Sequence, residues 1–385
     1  MKQAHFKIWY AVHKWTSLIC TLFMLLLCLT GLPLIFSHEI DHMLGYSVEA
    51  PALKTQHETA KLDDIIQDAE ARKPGHKMQF LVGDADEPEL WHLRLGKTVA
   101  DPEASAFFTY DARTGEMLSA YPVNEGFMNI MLRLHVDMFA GLYGMLFLGF
   151  MGLLLVLSLI TGVVVYGWYM RRLKFGTVRH NQSTRLKWLD LHNLIGIVTL
   201  AWLLVVGFTG VVNTLSIPIF NHWQSTQLAE MAKPYQQPTP LNNLGSMDSV
   251  VAAALSAEPY MQISFIAFPG NAFARSHHFV AFMQGKNPLT SKLLKPLLID
   301  AKTGVVVDKR DLPWYVSALL LSQPLHFGDY GGMPLKLIWA LLDILSIILL
   351  ASGIYLWIVK RKTSANFNGT VVHKTVNKAE NRAIA

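Results

Sequence analysis

The sequence predicts an α-helical membrane protein. It reads as a four-transmembrane-helix bundle built from two parallel repeats, each carrying an α+β domain outside the membrane. Three observations predict this. The 385 residues are 52% hydrophobic and only 16% charged, whereas soluble domains carry about 25% charged residues. Four runs are apolar enough to cross a bilayer. The two halves of the chain repeat the same motifs at the same spacing. The composition excludes a disordered, coiled-coil or collagen-like chain and argues against a purely soluble enzyme.

Each spanning element rests on a run of about 20 apolar residues. Residues 15–36, 138–170 and 191–229 hold no charged side chain, and residues 337–359 hold only Asp343. The predicted organisation is helix 1 at 8–37, outer domain 1 at 38–134, helix 2 at 135–170, and a basic loop at 171–190. Helix 3 follows at 191–219, outer domain 2 at 220–325, helix 4 at 326–360, and a tail at 361–385. Aromatic residues gather at the span ends (Trp9, Tyr10, Trp15, Trp168, Tyr169, Trp188, Trp357), as an interfacial belt does. The first span is too long for a signal peptide and no small-residue cleavage site follows Phe36, so an anchor is expected.

Lysine and arginine in short loops set orientation. Lys2, Lys7 and Lys14 precede span 1; Arg171, Arg172, Lys174, Arg179, Arg185 and Lys187 face Asp190 in the middle loop; Lys360, Arg361 and Lys362 follow span 4. All three segments are expected in the cytoplasm. The connection 37–134 is acidic, with 17 Asp and Glu against nine Lys and Arg. The net charge of +5 is then a topology signal, and no nucleic-acid partner is expected. Cys20 and Cys28 share one apolar run, which fits neither a disulfide scaffold nor a cysteine metal site.

The repeat is visible residue by residue. His13 precedes Thr30 and Gly31 as His192 precedes Thr209 and Gly210; His135 precedes Thr161 and Gly162 as His326 precedes Ser352 and Gly353. Each outer segment begins with a helical pattern (62–69, 247–254) and carries a β-like run (106–110, 296–299). Each run leads into Asp-Ala-x-Thr-Gly, at Asp111 to Gly115 and Asp300 to Gly304. Asp and Gly suit a tight turn for backbone reasons, so a structural role is expected there. No nucleophile–base constellation, phosphate loop or zinc pattern stands out in these segments. His277 and His278 read as exposed strand polarity.

Of fifteen histidines, only His13, His192, His135 and His326 recur in both halves. Topology places His13 and His192 at the cytoplasmic ends of spans 1 and 3, and His135 and His326 at the outer ends of spans 2 and 4. A lone histidine at a helix end is most simply an interfacial hydrogen-bonding group. Two at one depth on two helices can supply both axial ligands of a haem iron. Two b-type haems, one near each face, follow from the duplication. The repeated glycines are expected to serve helix packing. His135 precedes Met170 by 35 residues, about 50 Å of helix, so span 2 is expected to start after an irregular approach. Pro334 marks the start of span 4, and the Gly141 and Gly144 region matches it. His38 and His222 have no matching partner; Asp343 matches Gly152 and reads as a paired polar group or a proton carrier.

These motifs resemble the PepSY-associated transmembrane family. The resemblance is carried by Leu325, His326 and the glycines after it, by Ser352 to Trp357 before a basic triplet, by Trp188 to Gly196, and by His13 to Ser17. The two Asp-Ala-x-Thr-Gly segments look like its periplasmic PepSY domains. It covers about residues 5–362 and implies a Gram-negative inner-membrane protein, often iron-regulated. Some members are haem-binding ferric-siderophore reductases, and the four histidines fall where the family keeps its span histidines. What the resemblance implies is dihaem electron transfer to a periplasmic ferric siderophore or other ferric chelate. The chain carries no flavodoxin-like or ferredoxin-reductase segment. The donor is therefore expected to be a separate cytoplasmic protein, free reduced flavin or membrane quinol. The rival expectation is a non-enzymatic envelope protein whose PepSY domains bind a partner or restrain a protease. A transporter using Asp343 for proton coupling is a second.

Overall fold

The computed structural model describes residues 3–46, 48–52, 59–85, 87–121, 124–171, 173–235, 243–287, 290–328 and 330–383. Lys2 and Arg172, which figure in the sequence reading, lie outside them. In chain order the first half holds α1 (Gln3–Ile35), α2 (Ser37–Met43), α3 (Leu62–Arg72), β1 (Lys77–Gly83), β2 (Leu90–Gly96), β3 (Ala106–Asp111), β4 (Met117–Tyr121), α4 (Gly126–Val136) and α5 (Gly141–Met170). The second half holds α6 (Thr184–Asn213), α7 (Ser216–Ser225), α8 (Gln227–Ala232), α9 (Met247–Ala257), β5 (Met261–Ala267), β6 (His278–Gly285), β7 (Leu294–Asp300), β8 (Val306–Lys309), α10 (Trp314–Phe327) and α11 (Gly332–Ala383).

The chain divides into two units. One contains the four helices long and apolar enough to cross a membrane: α1, α5, α6 and the Gly332–Arg361 part of α11. Hydrocarbon offers no partner for backbone polar groups, so a helix, which satisfies its own, is the form such runs take. Side-chain hydroxyls follow the same rule. Thr16, Thr30, Thr161, Thr199 and Thr209 each donate to the carbonyl four residues earlier.

Within this unit the helices pair antiparallel. Phe6 stacks on Trp168 and Phe23 meets Phe147 edge-on at 4.8 Å, which aligns α1 with α5. Trp188 meets Tyr355 and Trp202 meets Trp339, which aligns α6 with α11 in the same way. Cys20, Met24 and Met151 form a small buried cluster against which Leu350 packs, and Lys360 donates to the Tyr10 hydroxyl at 3.0 Å. Three cations lie over tryptophan rings at the same end of the bundle: Lys14 on Trp15, Arg171 on Trp168 and Arg361 on Trp357.

The other unit is an eight-stranded antiparallel sheet in the order β4-β3-β2-β1-β5-β6-β7-β8. Each outer segment contributes one helix and four strands, and the halves join where Phe80, Leu81 and Val82 pair with Ala267, Ile266 and Phe265. The two expected outer domains therefore share one sheet. They also share one core: Leu62, Ile65 and Ala69 of α3 and Met247, Val250 and Ala254 of α9 pack with Leu81, Leu93, Tyr110, Ile266 and Phe279. Asp63 accepts from the backbone of Met247 at 2.7 Å and Asp248 from that of Leu62 at 3.1 Å. Each helix thus caps the start of the other.

Three boundaries differ from the sequence expectation. Span 3 stops at Asn213, and the uncharged run beyond it folds as α7 and α8. Trp223, Leu228 and Met231 there are fully buried against Val280, Phe282 and Leu298, so sheet burial rather than lipid absorbs that hydrophobicity. Span 2 starts at Gly141, not His135. Span 4 starts at Gly332 with Pro334 in its first turn. His135 and His326 instead occupy the last turns of the short helices α4 and α10. Gly328 (φ 76°) ends α10 in the left-handed conformation, the glycine stop that spares a side chain the strain. The approach segments are thus helical up to a tight turn, more ordered than expected. After His135 that turn forces Met138 and Phe139 to φ of 51° and 60°, and Asp137 steadies it by accepting from the Phe139 N–H at 2.8 Å.

Candidate functional site

His13 lies near the start of α1, where helix pairing sets it against α5. Its Nδ1 donates to the main-chain oxygen of Ser158 at 2.9 Å. A carbonyl can only accept, so the proton sits on Nδ1 and Nε2 keeps its lone pair. Gly162 lies against the ring. A Cβ there would stand 3.1 Å from His13 Cε1, tighter than side chains tolerate.

His192 repeats the arrangement between α6 and α11. Its Nδ1 contacts Ser352 Oγ at 2.8 Å. The Ser352 hydroxyl gives its own proton to the Leu349 carbonyl at 2.7 Å, so the imidazole must be the donor. His192 is also bonded to the Leu349 carbonyl. Gly353 lies against Cε1 with room for 3.5 Å. Neither His13 nor His192 has a hydrogen-bond partner at Nε2 among the described residues. The two rings lie close enough to interact electrostatically.

His135 completes the pattern on α1. Its Nδ1 lies 3.1 Å from Thr30 Oγ1, and that hydroxyl donates to Leu26 at 2.8 Å. Here too Nδ1–H is the donor. A Cβ on Gly31 would stand 3.1 Å from its Cε1. Three of the four repeated Thr-Gly or Ser-Gly pairs, at Gly31, Gly162 and Gly353, therefore lie against an imidazole of the neighbouring helix. General helix packing, the role expected for these glycines, is secondary to that. His326 is half-buried in the last turn of α10.

His13 and His192, each with Nδ1 tied by the protein and no hydrogen-bond partner at Nε2 among the described residues, have the arrangement that axial haem ligation uses. A ligating histidine characteristically spends its second nitrogen on a protein acceptor that fixes tautomer and ring plane. No cluster of three or more His, Cys, Asp or Glu side chains that could hold a bare ion occurs among the described residues. Asp190 anchors the loop two residues before His192. Arg179 grips both of its oxygens through Nε and Nη2 at 2.9 and 2.7 Å, and the Arg179 backbone adds a third bond.

The remaining candidates fall elsewhere. His38 is exposed on α2, and His222 packs on Tyr315 in the sheet unit. His278 is not exposed polarity: it is 2% exposed and both its nitrogens lack partners among the described residues. The reason is that β6 is covered on both faces, by α9 on one and by the α7–α8 cluster on the other. The two Asp-Ala-x-Thr-Gly segments are turns, closed by Gly115 N–H to Asp111 O and by Gly304 N–H to Asp300 O, with glycine φ of 72° and 71°. Hydrogen bonds from Arg113 hold the Asp111 carboxyl below its ordinary range. Lys295 and Lys309 do the same for Glu258.

Sequence reasoning missed two groupings. His92 bridges Asp84 at 3.2 Å and Thr109 at 2.9 Å. Thr109 is 2% exposed, so the trio pins strands and offers no reachable nucleophile. Cys28 lies beside Asp343, between α1 and α11; an isolated cysteine in an apolar run gave no signal of it.

The family described as the PepSY-associated TM region matches residues 10–360. An uncharacterized protein of Pseudomonas aeruginosa is 25% identical over 258 residues, 62% of this chain and 64% of its own length. The chain thus spans just under two thirds of that relative.

Proposed function

The chain belongs to the PepSY-associated TM region family, and from that premise we propose an inner-membrane dihaem electron-transfer protein that reduces periplasmic ferric iron. The substrate class is a ferric siderophore or similar ferric chelate, released as Fe(II). The observation that carries this reading is the common seat of His13, His192 and His135. Each donates Nδ1–H to a neighbouring helix beside a glycine.

In this reading the chain is two parallel repeats, with His13 and His192 forming one ligand pair and His135 and His326 the other. The basic and aromatic belt at the His13 and His192 end supports placing that end, with both termini, in the cytoplasm. When bound, a b-type haem at each level supplies a one-electron iron couple within the bilayer. The protein's part is to bind and orient. Ser158, Leu349, Ser352 and Thr30 hold the imidazole planes, and the apolar helices exclude water. The outer segments carry the residues that meet the periplasmic substrate. The donor is a cytoplasmic protein, reduced flavin or membrane quinol.

The test is the reduced-minus-oxidised absorption spectrum of the purified protein. A b-type Soret and α band with two haems per chain is expected. Colourless protein, with all four histidines replaceable without loss of function, would overturn the reading. That outcome would favour a partner-binding PepSY protein.

A further inference from the structure

Asp343 is 5% exposed in the middle of the α11 span. Cys28 occupies one side of its carboxyl, and Oδ2 is left with neither solvent nor partner among the described residues. On α6 the indole Nε1 of Trp202 is likewise buried without an acceptor. The two orphans belong to one level of the bundle. The antiparallel register sets His192 against Ser352, Gly196 against Leu349 and Trp202 against Trp339. Asp343 is one helical turn from Trp339. One turn further, Thr199 and Ser346 are fully buried, and their hydroxyl protons are committed to the Ile195 and Leu342 carbonyls. Their oxygens retain lone pairs.

A charged carboxylate with a bare oxygen is costly in a dry interior, and buried polar atoms normally find a partner. Polar groups inside a membrane span mark functional positions by default. A buried water needs two to four polar partners, and the orphaned indole N–H and carboxyl oxygen at this level could supply the first two. We propose that Asp343, Cys28 and Trp202 form a proton-holding site at mid-depth of the bundle. The Cys28 thiol donates to one carboxyl oxygen. The acid proton rests on the other and donates to a single water, which also accepts from Trp202 Nε1–H. The site stands on the packing of α1, α6 and α11 and does not depend on haem.

Infrared spectra of the purified full chain at neutral pH test it, because solvent-exposed carboxyls are ionised there. A carbonyl stretching band of a protonated acid, shifting in heavy water, is expected. It should vanish in Asp343→Asn, persist at a shifted position in Asp343→Glu, and move in both Trp202→Phe and Cys28→Ala. A band unchanged by Asp343→Asn overturns the proton, and a band unmoved by Trp202→Phe overturns the bridging water. Either result is independent of whether the protein is coloured, so the haem reading and this one fail separately.

Discussion

His13 donates its Nδ1–H to the main-chain oxygen of Ser158 at 2.9 Å, across 145 residues of sequence. The ring plane is therefore set by how α1 packs on α5, and no side chain at 158 is needed for it. His135 depends instead on a hydroxyl, that of Thr30 at 3.1 Å. The two seats should respond differently to removal of a hydroxyl. Thr30→Val keeps the shape and deletes the acceptor; outer partners of ligating histidines typically contribute about 10–100-fold in affinity. Ser158→Ala leaves the carbonyl in place and should leave haem retention within about twofold of wild type. Haem-to-protein ratio on progressive dilution reads both.

The pairing of histidines has its own signature. His192→Ala and His326→Ala should each remove about half of the haem, since each strips one axial ligand from a different iron. Combining His13→Ala with His192→Ala should remove no more than either alone. If the double variant loses all colour, the four histidines are not paired as argued.

The glycines make a graded prediction. A Cβ at Gly31 or Gly162 would approach an imidazole carbon at 3.1 Å, but one at Gly353 would meet His192 at 3.5 Å, ordinary contact. Gly31→Ala and Gly162→Ala should therefore tilt the ring and shift the haem bands. Gly353→Ala should leave them in place. Equal behaviour of all three in absorption spectra would remove the glycines from the argument.

How much of this is legible in the sequence depends on whether the signal is local. The spans, the Asp111 and Asp300 turns and the helix starts at Leu62 and Met247 follow from residue patterns within a few positions. The recurrence of four histidines needs only comparison of the halves. The pairing of β1 with β5, which fuses two domains into one sheet, is invisible because it joins strands far apart in the chain. His278 is misread for the same reason: its alternation suits a half-exposed strand, and it is α7 and α8, some fifty residues earlier in the chain, that cover that face. The link between Cys28 and Asp343 joins residues 315 positions apart, with no local pattern to signal it.

The reciprocal caps should be worth measuring in the sheet unit. Asp63 accepts from Met247 N–H and Asp248 from Leu62 N–H. Loss of a capping acceptor costs about 1 kcal/mol. Asp63→Ala and Asp248→Ala should each lower the thermal midpoint of the sheet unit. The Asn variants, which retain an acceptor oxygen, should recover most of the loss. Calorimetry of the full chain in detergent checks it, and an unchanged midpoint in both Ala variants would show the caps to be incidental.

The pH dependence of the same unit turns on His278. Burial pushes its imidazole below the ordinary value of 6.5, and the charge of Asp300 offsets this only in part. Above 6.5 the ring is neutral folded and unfolded, so it adds no slope. Below 6.5 the unfolded chain binds the proton more readily than the folded one, and stability falls as pH drops. The paired carboxylates of Asp68, Asp111 and Glu258, all held below their ordinary range by neighbouring cations or hydroxyls, act in the same direction. Their stabilisation is lost only as pH falls below about 4, the unfolded carboxylate range. Two windows should therefore appear in the thermal midpoint as pH is lowered. His278→Phe keeps an aromatic ring in the buried position but removes the titrating group, and should abolish the upper window while leaving the acid one. A slope between pH 7 and 5 that survives in His278→Phe would assign it to another group.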